Sequence, residues 1–296
     1  MLEITRDQKR IAIEKSDRTR IINRMDRCMI RRKSIRFLLY TSEGIPSVVD
    51  IRNLERVLKM TAAVVFFAPI FAGFIQAVTG FGSGIFMMVF FPALFPILGA
   101  SALSSSISMV ATCSQAWRYR KLSDWKLVLA PSVIYILVSS VAILLAPYMP
   151  TAVLKRIFGV VMVLLSIYFL TISGKLKVKA NLTSVTICAI ISGIMGGLFG
   201  IGGPPMVIYF LAAIDNKERY LGTIQTFFFI TGAYTFFFRL INGIYTLDLI
   251  PYTLLGVAGI MLGTQIGRKV VDRINAETMK KAVYLFLGFA GLTNIF

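Results

Sequence analysis

After residue 59 the chain alternates between long apolar stretches and short polar connections. Ten apolar segments follow one another, five in each half of this region: 60–79, 85–98, 100–117, 127–148, 153–173, 182–199, 203–214, 221–241, 250–267 and 277–296. A helix that crosses a bilayer needs about 20 predominantly apolar residues. Because most of the segments approach that length, the pattern predicts an all-α polytopic membrane protein.

Two of the ten segments fall short of a full crossing. Segment 85–98 contains Pro92 and Pro96, and segment 203–214 opens with Pro204 and Pro205. Both are predicted to form short broken or re-entrant helices. The remaining segments then make about eight transmembrane helices.

Basic residues in the connections favour eight crossings. Because Lys and Arg concentrate on the cytoplasmic side, the flank Arg52–Lys59 and the loop 118–126 are both expected in the cytoplasm. Three apolar segments separate them, so one of the three does not cross. Arg268, Lys269 and Arg273 point the other way, since eight crossings place them outside. Ten crossings return them to the cytoplasm but put the basic N-terminus outside.

A glycine pattern occurs twice along the chain. Two stretches carry glycines at the same three positions, separated by six residues and then by one: FAGFIQAVTGFGSG at 71–84 and ISGIMGGLFGIGGP at 191–204. An internal repeat of this kind predicts two homologous halves, 60–179 and 180–296. Each half opens on an apolar segment that a glycine turn separates from a short helix. Paired interruptions at matching positions are typical of a transporter's binding site.

Residues 1–59 do not follow the apolar pattern. They hold 15 Lys/Arg and 8 Asp/Glu, which predicts a basic polar N-terminal extension. Three interpretations stay open: a cytoplasmic extension, a basic amphipathic segment on anionic lipid, or sequence upstream of a true start at Met60.

Composition agrees with a membrane protein and excludes much enzyme chemistry. Hydrophobic residues make up 56% of the chain, and the mean hydropathy is +0.76. The net charge of +18 is explained by orientation in the membrane, so no nucleic-acid partner is predicted. There is no histidine, and Cys28, Cys113 and Cys188 are far apart. We therefore predict no metal site, no cofactor and no catalytic activity.

The two glycine turns are the candidate binding site for a small anion. Glycines allow positive φ and close approach, so backbone N–H groups and helix N-termini can point into one concavity. Gln76 has no side-chain counterpart at Gly196, so the site is expected to be asymmetric. The predicted substrate-binding residues are Gln76, Thr79, Gly80, Gly82, Ser83, Gly84, Ser105, Gly200, Gly202, Gly203, Pro204 and Gln225.

Other polar residues also occur within the apolar segments. One helical stripe carries hydroxyls that predict either a polar path or close packing: Ser101, Ser104, Ser105, Ser108 and Thr112. No Asp or Glu lies deep in an apolar segment, which disfavours coupling through a buried acid. Arg239 stands near the end of its segment, where it could attract an anion, but it is expected to extend to the membrane interface. The anion site is thus predicted to have no buried cation.

The chain resembles the sulfite exporter TauE/SafE family of membrane transporters over about residues 60–296. The turn Gly200-Ile201-Gly202-Gly203 matches the family pattern, and Gly80-Phe81-Gly82-Ser83-Gly84 is its variant with serine. The resemblance implies a bacterial inner-membrane permease for small anions, often sulfite or sulfonates. Alternating access between the two halves is the expected mechanism, with the N-terminus cytoplasmic. The alternative is a membrane-embedded receptor or assembly subunit without transport.

Overall fold

The computed structural model of the protein describes residues 51–167, 170 and 181–270. These belong, from Arg52 on, to one compact unit, Arg52–Phe296. Regular structure in the described ranges is helical, and the α-helices are α1 Ile51–Thr79, α2 Ser83–Phe90, α3 Ile97–Tyr119, α4 Trp125–Leu145, α5 Thr151–Ile167, α6 Leu182–Phe199, α7 Gly203–Ala213, α8 Lys217–Ile241 and α9 Ile250–Val270. Single 3-10 turns follow α2, α3 and α4 and precede α9.

Six of the described helices are long and apolar enough to cross a membrane: α1, α3, α4, α6, α8 and α9. Within the described ranges, the predicted all-α, multi-pass character is therefore confirmed. Segment 153–173 continues beyond the end of α5 at Ile167, and segment 277–296 lies outside the described residues, as do residues 1–50 of the extension. Eight crossings stay a prediction.

The two proline-bearing segments form short helices. With a rise of about 1.5 Å per residue, the eight residues of α2 extend about 12 Å and the 11 residues of α7 about 16 Å. Both are shorter than the hydrocarbon core, which is about 30 Å thick. Pro204 and Pro205 occupy the first turn of α7, where a missing N–H leaves no intrahelical bond unmade.

The long helices pack in pairs, several of them through glycine. α3 runs against α8, α4 contacts both α6 and α8, and α9 contacts α3. α2 packs on α3, and α7 packs on α6 and α8. Glycines bring two further backbones together, because a Cβ added at Gly263 of α9 would overlap the carbonyl oxygen of Ile70 in α1. Small residues allow such approach between membrane helices.

This close approach leads to a stability prediction. We expect Gly263→Ala to lower the free energy of unfolding by about 1–3 kcal/mol, the usual cost of overpacking a tight contact. The matched control is Gly232→Ala in α8, where an added Cβ meets nothing within 4 Å. Thermal unfolding of the detergent-solubilised variants measures both. Equal melting temperatures would contradict the α1–α9 contact.

A polar junction connects the α3–α4 loop to α8. The Ser123 Oγ donates to the Gly222 carbonyl at 2.8 Å, and the Asp124 N–H donates to the Thr223 Oγ1 at 3.0 Å. The Asp124 carboxylate also accepts a hydrogen bond from the Arg219 guanidinium and caps α4 at the Lys126 N–H. The hydrogen bond from Arg219 holds the pKa of Asp124 below its usual value.

That lowered pKa predicts an acid-dependent contribution to stability. The carboxyl of Asp124 has a lower pKa folded than unfolded, so its ion pair stabilises the protein above about pH 4 and is lost as pH falls through the folded-state value. Because the side chain of Arg219 is 57% exposed, the effect is expected to stay below about 1 kcal/mol. Asp124→Asn should reduce the melting temperature slightly at pH 7 and by less at pH 3. An equal deficit at both pH values would contradict the assignment.

Candidate functional site

The two glycine turns lie against each other in the structure. The first connects the end of α1 at Thr79 to the start of α2 at Ser83, and the second connects α6 to α7. A Cβ added at Gly84 would lie 3.0 Å from the Gly200 carbonyl oxygen, so the turns are in van der Waals contact. Segments that are 120 residues apart in sequence thus lie side by side.

The first glycine of each turn has the same local structure. Gly80 has φ 83° and Gly200 has φ 72°, the left-handed region in which glycine commonly ends a helix. The N–H of Gly80 donates to the Gln76 carbonyl at 2.8 Å, and the N–H of Gly200 donates to the Gly196 carbonyl at 3.0 Å. Both helices therefore stop in the same way.

The second glycine of each turn is required for different reasons. Gly82 has φ 98°, and the nearest atom to an added Cβ would be a methyl carbon of Ile75 at 3.5 Å, an ordinary contact. Gly202 has φ −69°, but an added Cβ would lie 2.5 Å from the Ser192 carbonyl oxygen and 2.7 Å from the Tyr135 ring. Backbone conformation therefore requires glycine at Gly82, and lack of space requires it at Gly202.

A cavity of about 90 Å³ lies between the turns. Eight of the twelve predicted site residues line it: Gln76, Gly82, Ser83, Gly84, Ser105, Gly200, Gly202 and Gly203. By the same measure one water needs about 10–15 Å³, so the cavity has room for several waters or a small solute. None of the residues described along its wall carries a charge.

The other four predicted residues lie behind the cavity wall. The Thr79 Oγ1 is 2.7 Å from the Phe81 carbonyl oxygen and 2.9 Å from that of Ile75, so this hydroxyl closes the first turn. The Gln225 Nε2 donates to the Gly80 carbonyl at 2.6 Å. Pro204 is buried in the first turn of α7. These residues support the turns and are not part of the lining.

Gln76 brings an unpaired polar group to the cavity. Its side chain is 2% exposed, and its Nε2 makes one long contact of 3.4 Å to the Thr112 Oγ1. Its Oε1 has no hydrogen-bond partner among the described residues. A buried polar atom without a partner is costly, and a solute in the cavity would supply one.

The hydroxyl stripe of α3 faces the two turns. Ser105, Ser108 and Thr112 line the cavity. The Ser83 and Ser108 hydroxyls are 3.0 Å apart, and the Ser104 Oγ donates to the Gly84 carbonyl at 3.1 Å. The stripe therefore packs closely against the turns and also lines the cavity, while the polar path stays a prediction.

Arg239 does not extend to the membrane interface, and that prediction was wrong. Its side chain is 1% exposed. Nη1 donates to the Ser101 carbonyl at 3.1 Å and to the Ser105 Oγ at 2.6 Å, while Nη2 donates to the Gly196 and Gly197 carbonyls at 2.9 Å each. The last turn of α8 packs on the start of α3 and the end of α6, where carbonyl oxygens are available. The prediction of an anion site with no buried cation nearby is therefore also wrong.

Sequence reasoning also missed Tyr135 of α4. This side chain lines the cavity and packs so closely on α6 that a Cβ added at Gly196 would overlap its hydroxyl. α4 is apolar throughout most of its length, so nothing in its sequence marks one tyrosine as special. The absent side chain at Gly196 is the signal, because a glycine facing another helix leaves room for a ring.

Comparison with known proteins gives a family match and a related protein. The sequence model of the family described as sulfite exporter TauE/SafE matches residues 65–293. The chain is also 23% identical over 240 residues to "Probable membrane transporter protein MJ0441" of Methanocaldococcus jannaschii, which covers 74% of this chain and 90% of that protein. No solved structure matches the chain significantly. Because the family match spans well over half of the sequence, the chain belongs to the sulfite exporter TauE/SafE family of membrane transporters.

Proposed function

We propose that the protein is a permease for a small oxyanion, which binds in the cavity between the two glycine turns. One observation carries the proposal: the N-termini of two short helices, at Ser83 and Gly203, line the same uncharged cavity. The first N–H groups of a helix lack an intrahelical acceptor and carry a partial positive charge. An oxyanion can accept hydrogen bonds from both helix ends at once.

The remaining polar groups of the cavity suit the same ligand. The hydroxyls of Ser105, Ser108 and Thr112 and the carboxamide of Gln76 surround the turns. The Ser105 and Thr112 hydroxyls donate to backbone carbonyls, whereas the Ser108 hydroxyl accepts from Ser83 and keeps a proton for an anionic oxygen. A carboxamide turned by 180° presents its N–H₂ group in place of its oxygen. No Asp or Glu belongs to the described lining, so no side chain there carries a negative charge.

We further propose that residues 60–179 and 180–296 are homologous halves that move relative to each other in alternating access. Helix contacts support the correspondence, because α2 packs on α3 as α7 packs on α8, and α4 packs on α8 as α9 packs on α3. The α4–α6 contact has its counterpart in the glycine contact of α9 with α1. A site at the interface of two repeats is typical of secondary transporters.

The family description supports a class of substrate. Its description names sulfite. We therefore propose sulfite or a small sulfonate as the substrate, carried across the bacterial inner membrane. The basic residues Arg52, Arg56 and Lys59 at the start of α1 favour a cytoplasmic N-terminus.

Counterflow in proteoliposomes tests the proposal. Purified protein is reconstituted with unlabelled sulfite, sulfate, thiosulfate or methanesulfonate inside, and uptake of the labelled ion is followed against protein-free vesicles. We expect saturable uptake of at least one sulfur oxyanion. Saturable binding without uptake would favour a membrane-embedded receptor, and absence of both would contradict the proposed site.

A further inference from the structure

We infer that Arg239 provides the fixed positive charge that makes the cavity select anions, although its guanidinium does not contact the bound ion. This inference rests on the proposed function, since it concerns the charge preference of the same site. Its basis is a fully buried guanidinium with neutral partners directly behind the cavity wall.

The partners of Arg239 leave its charge without an acidic counterpart. Both terminal nitrogens donate to oxygens of α3 and α6, three of them backbone carbonyls and one the Ser105 hydroxyl. The salt bridge seen among the described residues joins Arg219 to Asp124. It lies at the other end of α8 and does not involve Arg239. Arg239 is hydrogen-bonded but not neutralised.

An uncompensated charge at this depth calls for a function. Burying an ion that lacks a counterion is costly, and ionisable residues inside membrane segments generally mark substrate or ion pathways. The C-terminal end of α6 offsets only part of the charge, because a helix end carries about half an elementary charge. A net positive potential therefore extends into the cavity, where an anion would complete the balance.

The position of the guanidinium fits this role. Its Nη1 lies 2.6 Å from the Ser105 Oγ, and its Nη2 lies 2.9 Å from the Gly196 carbonyl; both residues line the cavity. A Cβ added at Gly200 would be 3.6 Å from Nη1. The charge thus stands one layer behind the second turn. Because each terminal nitrogen already makes two hydrogen bonds, Arg239 acts through its field and is a positioning residue.

The first turn has neutral groups in the comparable place. There the Gln225 Nε2 donates to the Gly80 carbonyl at 2.6 Å and lies 3.3 Å from the Gln115 Oε1. A carboxamide at one turn and a guanidinium at the other make the site electrostatically unequal. The negatively charged oxygens of the ligand are accordingly assigned to the side of Gly200.

Two probes of equal shape and different charge test the inference. Methanesulfonate is an anion, and methanesulfonamide is its neutral analogue. Calorimetric binding to the purified wild type should favour methanesulfonate by at least about tenfold. Arg239→Gln should bring the ratio close to one by weakening methanesulfonate alone, whereas Arg239→Lys, which retains the charge, should keep most of the preference.

The outcomes separate this inference from the proposed function. An unchanged preference in Arg239→Gln would overturn the inference and leave the proposed function intact. Equal loss of both probes in Arg239→Gln and Arg239→Lys would show a structural role only and also overturn it. A wild type that binds no sulfur oxyanion would overturn the proposed function itself.

The lysine variant gives a second test if Arg239→Gln does not insert. Burial lowers the pKa of a lysine, whereas arginine stays charged. The preference of Arg239→Lys for methanesulfonate should therefore decline between pH 7 and pH 9, while that of the wild type stays constant. A wild-type preference that itself declines over this pH range would contradict the inference, because the charge of arginine does not change there.

Discussion

Gly202→Leu is expected to abolish substrate flux while the protein still inserts into the membrane. The Cβ atom alone would already lie 2.5 Å from the Ser192 carbonyl oxygen and 2.7 Å from the Tyr135 ring. A leucine must therefore displace α4 or push the second turn into the cavity. Either change separates the start of α7 from the start of α2, and the two N-termini can no longer share one anion.

Uptake into proteoliposomes, with protein amount matched by immunoblot, measures this effect. The control is Ala212→Leu, which adds the same side chain to an exposed position of α7, the helix that follows the turn. We expect at least about a hundredfold loss for Gly202→Leu, corresponding to about 3 kcal/mol, and near wild-type uptake for the control. Wild-type flux in Gly202→Leu would remove the second turn from the site.

Gln76→Glu is expected to suppress anion transport at neutral pH. Gln76 is 2% exposed and lines the cavity, so a carboxylate there would face the bound anion. Two like charges about 5 Å apart repel by about 3 kcal/mol at an effective dielectric constant of about 20, which is more than a hundredfold in binding. Methanesulfonate uptake is the suitable measurement, because its charge does not change with pH in the range used.

The pH dependence distinguishes repulsion from damage to the fold. Burial raises the pKa of a carboxyl group, so Gln76→Glu should be neutral in an increasing fraction of molecules as pH falls from 7 to 5. Its uptake is therefore expected to recover in part at pH 5. Gln76→Met, a neutral side chain of similar size, should show no such pH dependence. Wild-type uptake by Gln76→Glu at pH 7 would contradict the placement of the anion beside this residue.

The helices of this protein are largely predictable from sequence because each depends on local properties. Apolar length identifies the long helices, and proline with short length identifies α2 and α7. The glycine spacing predicts two similar turns. In the structure Gly80 and Gly200, which follow α1 and α6, both have the left-handed conformation. What the spacing does not contain is the contact between the turns, since that depends on how α1, α3, α6 and α8 pack.

Arg239 shows where sequence reasoning fails. Its place near the end of an apolar segment predicts an interfacial side chain, because that reasoning considers only the distance to the end of its own helix. In the structure its surroundings are set by two other helices, which present the carbonyls of Ser101, Gly196 and Gly197. Tyr135 is missed for the same reason. The surroundings of a side chain that contacts a neighbouring helix cannot be predicted from the sequence of its own segment alone.

Anomalous diffraction tests most directly whether both glycine turns bind one small oxyanion. Selenite is a heavier analogue of sulfite, and crystals of the wild-type protein soaked with it can be measured at the selenium absorption edge. We expect an anomalous peak between the two turns, within hydrogen-bonding distance of the first N–H groups of α2 and α7. A peak elsewhere in the protein, with none between the turns at concentrations that saturate uptake, would contradict it.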